Sequence, residues 1–190
     1  MTSVDATARS SDPIIDEGPL KTAEELEAGA ERIIRDHVLL GVAAGLFPGP
    51  GIDIALGFGV QLTMLKRMSS LYDVPFRSNL AKSTVAALLG SIGAVGAGVV
   101  TAMSFLKAIP VVGTAVGIAG TSAFLGAFTY AIGKVFQRHF ETGGTFADLE
   151  PDAYREYFRE MFQRGKKVAE ETAKDKEAVK NARKKAASGQ

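Results

Sequence analysis

The chain has 190 residues, no cysteine and a formal net charge of +1. That length allows one domain with tails, and the missing cysteines exclude disulfides, thiolate metal sites and cysteine nucleophiles. The charge is unevenly placed: nine acids and four bases lie between Met1 and Asp36, eight bases and four acids between Lys166 and Lys185, and the centre is almost uncharged. An acidic head and a basic tail around an apolar centre do not make the basic folded face of a nucleic-acid binder, so nucleic acid is not expected as a partner.

Residues 1–20 are small, polar and interrupted by proline, which reads as a disordered leader. They have neither the basic start nor the apolar core of a signal peptide, so internal segments would make any membrane contact. A helical domain is expected over 21–165. Thr22 and Glu25 stand at capping-box spacing, and Leu26, Ala30, Ile33 and Ile34 share one helical face. This helix runs on into "HVLLGVAAGLF" (37–47). Pro48 stops it, and Pro48, Gly49, Pro50 and Gly51 form a turn before a second uncharged helix that lasts to Lys66. Residues 38–65 thus predict a short or re-entrant hairpin with arms of roughly 15 Å, about half a hydrocarbon core.

Residues 66–82 carry four bases and one acid. Two long uncharged stretches follow, 24 residues from Ser83 to Leu106 and 26 from Ala108 to Gly133, separated by Lys107 alone. Each exceeds the roughly 20 residues of a membrane span, and Pro110 and Gly113 mark the tip, so 83–133 predicts a spanning hairpin. Lys66, Arg67, Arg77 and Lys82 on one flank and Lys134 and Arg138 on the other put both flanks on the cytoplasmic side. Nine of the 51 residues from 83 to 133 are glycine. This makes the stretches weakly hydrophobic but suits closely packed helices, as do the small-xxx-small pairs Gly41/Gly45 and Gly113/Gly117. "FPGPG" (47–51) and "IPVVG" (109–113) form a faint repeat, each ahead of a Gly-rich apolar helix.

Gly143 and Gly144 end the next amphipathic helix, and a last one, over 151–165, begins near Pro151. Its face of Tyr154, Tyr157, Phe158, Met161 and Phe162 reads as a membrane- or partner-binding surface; docking on the helical core is the other reading. Residues 166–190 form a charged basic tail, frayed or disordered, that favours an anionic surface.

No stretch carries a catalytic pattern. "FTYAIGKV" (128–135) lacks the first glycine and the hydroxyl residue of a phosphate loop, and the only histidines, His37 and His139, have no metal-ligand spacing. No enzyme activity, metal or cofactor is expected. Asp53 and Lys107 are the polar candidates for a membrane-embedded site, although Asp53 also falls where a carboxylate caps a helix start and meets its dipole.

Pro48, Gly51, Asp53, "LYDVPF" (71–76), Pro110, Gly113, Gly133, Lys134, His139, Phe140 and "GGT" (143–145) together resemble the YcjF-like family of bacterial membrane proteins. A broader likeness is to the EcsC family. The first resemblance covers roughly 35–165. It implies an α-helical integral membrane domain that anchors, or is regulated by, an Era-type or YcjX-type GTPase; this chain has no GTPase domain of its own. The expectation is therefore an all-α integral membrane protein of two helical hairpins with flanking amphipathic helices. It would lie in the cytoplasmic (inner) membrane with both termini cytoplasmic, as an anchor, scaffold or membrane-remodelling partner. Its partners would be the lipid bilayer, a GTPase or other cytoplasmic protein at the C-terminal region, and further copies of itself. A small channel or transporter subunit and a soluble all-α interaction protein stay open as alternatives.

Overall fold

The computed structural model describes residues 21–47, 51–91, 102 and 112–188. Helix α1 spans Ala23–Gly45, α2 Ile52–Leu71, α3 Ser78–Ser91, α4 Val112–Glu141, α5 Arg155–Lys174 and α6 Lys176–Ser188. Among the described residues there is no strand. The expected leader, residues 1–20, and Pro48, Gly49, Pro50, Lys107 and Pro110 lie outside the described residues.

Local sequence sets where α1 starts. The Glu25 amide donates to Thr22 Oγ1 (3.2 Å) and the Thr22 amide to Glu25 Oε2 (2.8 Å), which closes the capping box. Helix α2 runs back antiparallel to α1. Lys21 Nζ donates to the Leu71 carbonyl (3.0 Å) at the α2 terminus, where a cation also meets the negative end of the dipole. The arms of this pair reach well beyond 38–65. The amphipathic residues at both charged ends keep the helical period that the apolar residues begin, so α1 is 23 residues long and α2 is 20.

Helix α4 is the centre of the bundle, with α1 on one side, α5 on the other and α2 beside α1. Ile34, Val38, Met64, Leu65, Ile132, Phe136 and Phe158 are buried together between these helices. Helix α3 packs on α2 and α5. Arg159 donates to the Ser91 carbonyl (Nη2, 3.0 Å), which closes the α3 terminus with charge from α5.

Among the described residues, no helix is long and apolar enough to cross a membrane. Within α4, the part of the uncharged stretch from Leu125 to Gly133 is almost wholly buried in protein. The aromatic face is taken up inside the molecule. Phe158, Met161 and Phe162 are buried and Tyr154 and Tyr157 half-buried, with Phe158 edge-on to Phe128 (5.8 Å) and Phe162 edge-on to Phe124 (5.4 Å). An apolar face this wide gains more by covering α4 than by waiting for a partner, at roughly 25 cal/mol per Å² buried. The basic tail is ordered as well. Helix α5 starts at Arg155, four residues after Pro151, and runs to Lys174, and α6 folds back on α1. Phe158, Phe162, Gly165 and Ala169 continue one buried helical stripe past 165, and Val179 and Ala182, three apart, seat α6 against the α1 residues Val42 and Ala43.

Candidate functional site

Helices α1 and α4 approach closely at two glycines. A Cβ at Gly45 would stand 2.4 Å from the backbone N and Cα of Ser122, and one at Gly41 would stand 2.6 Å from Thr129 Oγ1. Only glycine lets the two backbones sit this near, so the Gly41/Gly45 pair serves contact within the chain. Polar groups fill the same seam. Thr121 Oγ1 donates to the Gly45 carbonyl (3.1 Å), Gln61 Nε2 to Thr129 Oγ1 (2.8 Å), and Thr129 Oγ1 to the Leu125 carbonyl (2.7 Å). Sequence reasoning did not find Gln61, Thr121 or Thr129, because single polar residues in apolar helices carry no motif.

Asp53 is fully buried in the first turn of α2, and its Oδ1 accepts from the Ile54 amide (3.0 Å). A carboxylate there meets the positive end of the helix dipole. Gly51, the residue before α2, has φ 89°, a left-handed conformation that glycine adopts without strain. Gly113 lies already inside α4, so the glycines of the two Pro-x-x-Gly stretches are not equivalent. The aromatic face of α5 packs on α4 at Phe124 and Phe128, away from the α2 start that carries Asp53. Among the described residues no three His, Cys, Asp or Glu side chains converge as metal ligands.

The two histidines serve different parts of the bundle. His37 Nδ1–H donates to the Ile33 carbonyl (2.7 Å) while Nε2 is buried without a partner among the described residues. Burial, opposed by that backbone bond, holds its pKa below 6.5, so the ring is neutral. His139 Nε2–H donates to the Thr145 carbonyl (2.9 Å), and its Nδ1 accepts from the Tyr154 hydroxyl (3.1 Å), which ties the turn after α4 to the start of α5. At the same end Lys134 pairs with Glu31 and donates to Gln137 Oε1 (3.0 Å); Gln137 Nε2 and the Tyr72 hydroxyl both donate to Glu141 Oε1 (2.9 and 3.2 Å). Burial works against the Lys134 charge, but Glu31 outweighs it and raises the pKa.

The opposite end exposes apolar side chains as well as charged ones. Ile52 and Ile54 are 54% and 37% exposed at the start of α2. Past the other end of the loop that joins α1 to α2, the guanidinium of Arg183 on α6 lies over the Phe47 ring, 5.4 Å from its centre. Next to this contact a groove of about 810 Å³ opens between α1, α4, α5 and α6. Its walls are small and apolar, including Val42, Leu46, Ala119 and Ala123, and Lys174, Lys180 and Arg183 also line it. Sequence reasoning saw these cations only as tail charge. The signal that would have placed them is the helical spacing of Val179 and Ala182 within that tail.

Comparison with known proteins adds two similarities. The profile of a family described as a domain of unknown function, DUF697, matches residues 10–167. Magnetosome membrane protein 22 of Magnetospirillum gryphiswaldense is 40% identical over 162 residues, 85% of this chain and 83% of that protein. No solved structure matches.

Proposed function

The chain belongs to the DUF697 family, a domain of unknown function, and from that premise we propose that it is a non-enzymatic, membrane-associated anchor or scaffold. The observation that carries the proposal is the polarity of the bundle. One end gathers Glu31, Lys134, Glu141 and Tyr72 in a polar network, and the other exposes Ile52 and Ile54 at the start of α2 and carries Arg183 of the basic helix α6 over Phe47. Apolar surface rimmed by cations is suited to the boundary between acyl chains and anionic headgroups. The magnetosome membrane relative supports the same reading by its name.

Insertion is proposed at the apolar end. The sequence 92–111, uncharged except for Lys107, joins α3 to α4 and supplies further apolar length. The charged face of α5, with Arg155, Arg159, Glu160 and Arg164 exposed, stays in water, because charges on a hydrocarbon-facing surface are costly. Both termini then lie on the cytoplasmic side of the inner membrane, where a cytoplasmic partner such as a GTPase would meet the exposed polar faces of α5 and α6.

Flotation of the purified full chain tests this. It is expected to rise with vesicles of equal parts phosphatidylcholine and phosphatidylglycerol, and native membranes are expected to retain it through a carbonate wash. A chain that stays at the bottom of the gradient and leaves native membranes in carbonate would not be a membrane anchor.

A further inference from the structure

We infer that the groove between α1, α4, α5 and α6 binds one anionic phospholipid, with an acyl chain against its apolar walls and the phosphate at the cationic rim. The inference deepens the membrane reading above and rests on it. Three observations converge. The volume, about 810 Å³, lies in the range of roughly 300–1,000 Å³ for small-molecule sites. The lining is divided: Val42, Leu46, Ala119 and Ala123 give an apolar floor, while Lys174, Lys180 and Arg183 outnumber the one lining carboxylate, Glu170. Among the described residues, Lys174, Lys180 and Arg183 have no salt-bridge partner, so the excess positive charge awaits an anion.

The third observation is Ser122. It lines the groove and is 5% exposed, yet its hydroxyl has no hydrogen-bond partner among the described residues. A buried hydroxyl left unpaired is destabilising. An ester oxygen of a lipid seated in the groove would accept from it. The chemistry thus selects a molecule with an apolar chain, an uncharged oxygen near the chain and an anionic head. A free phosphate satisfies only the rim, and a zwitterionic lipid adds a cation to a site already positive. The groove sits beside Phe47 and Arg183, at the end of the bundle where Ile52 and Ile54 face outward, so a lipid could enter it from a bilayer without crossing the polar end.

The test is thermal unfolding of the full chain, followed by circular dichroism, with dihexanoyl phosphatidylglycerol, dihexanoyl phosphatidylcholine or inorganic phosphate added. At about tenfold above its Kd the anionic lipid is expected to raise the midpoint by about 3–6 °C, and the other two to raise it little. Ala123→Phe, which fills the groove from a half-buried position, should abolish the rise. Lys180→Glu with Arg183→Glu should do the same through charge, and Ser122→Ala should weaken binding about threefold to tenfold. No rise with the anionic lipid overturns the inference, including the case where a second copy or another part of this chain covers the groove. An equal rise with phosphate, or one that survives both Ala123→Phe and the charge reversal, also overturns it. Flotation separates this failure from that of the anchor reading: a chain that floats without a lipid-specific rise loses the groove site only.

Discussion

Gly45→Ala adds one methyl group at the point where α1 and α4 nearly touch. The new Cβ would stand 2.4 Å from the Ser122 N and Cα, against ordinary contact at 3.4–4 Å, so the helices must part by about 1 Å. The obstacle is backbone, with no side chain to turn aside. Overpacking of this kind costs about 1–3 kcal/mol, here at the upper end. The parting also stretches the 3.1 Å bond from Thr121 to the Gly45 carbonyl, which contributes about 0.5–1.5 kcal/mol. Alanine recovers about 1 kcal/mol of helix propensity. The net loss is about 2–3 kcal/mol, a fall in thermal midpoint of about 4–12 °C for a chain of this size. Gly59→Ala is the control, since its Cβ would meet nothing within 4 Å. It should gain about 0.5–1 kcal/mol and raise the midpoint by about 1–4 °C. Melting curves of the two variants under one condition decide the matter. If Gly45→Ala is as stable as the parent, or moves with Gly59→Ala, α1 and α4 do not pack as described.

Phe158→Ala should cost about 3–5 kcal/mol in chemical denaturation, because the ring is fully buried against Phe128; a loss below about 1 kcal/mol would mean that α5 is not docked on α4. His37 predicts a pH dependence. Its pKa is depressed in the folded chain, so its stabilising contribution is present above 6.5 and is lost as pH falls from there through the folded value. Denaturation midpoints at about pH 7 and about pH 5 should show a fall that His37→Gln reduces. Glu31→Gln should lower stability by about 0.2–1 kcal/mol and less in high salt, since this carboxylate is partly exposed. Lys134 has a raised pKa, so its contribution should persist below pH 10.5 and disappear above the folded value; an alkaline titration of the parent against Lys134→Met checks it.

The chain by itself determined the class of fold and most of the punctuation. Thr22 and Glu25 announced the start of α1, the glycines at 51 and 143 marked interruptions that the chain makes with positive φ, and the helical spacing of Leu26, Ala30, Ile33 and Ile34 marked a face that buries Ala30 and Ile34. These are local effects, set by capping, sterics and period, and they need no neighbour to operate. Charge distribution also showed that one part of the chain differs in kind from its ends. What the chain could not decide was what its apolar residues face. An uncharged helix with abundant glycine reads the same whether lipid or protein surrounds it, and only the approach of Gly41 and Gly45 to Ser122, Leu125 and Thr129 identifies the neighbour as α4. The aromatic face of α5 posed the same ambiguity, resolved by Phe124 and Phe128. Helix α6 is the extreme case. Its charged residues suggest a solvated tail, and it is held by a handful of small side chains against α1 that have meaning only once the two helices are side by side. The groove lined by Ser122, Lys180 and Arg183 draws its floor and rim from separate helices far apart in sequence. Periodicity reports which residues of one helix share a face, and tertiary packing alone decides which faces meet.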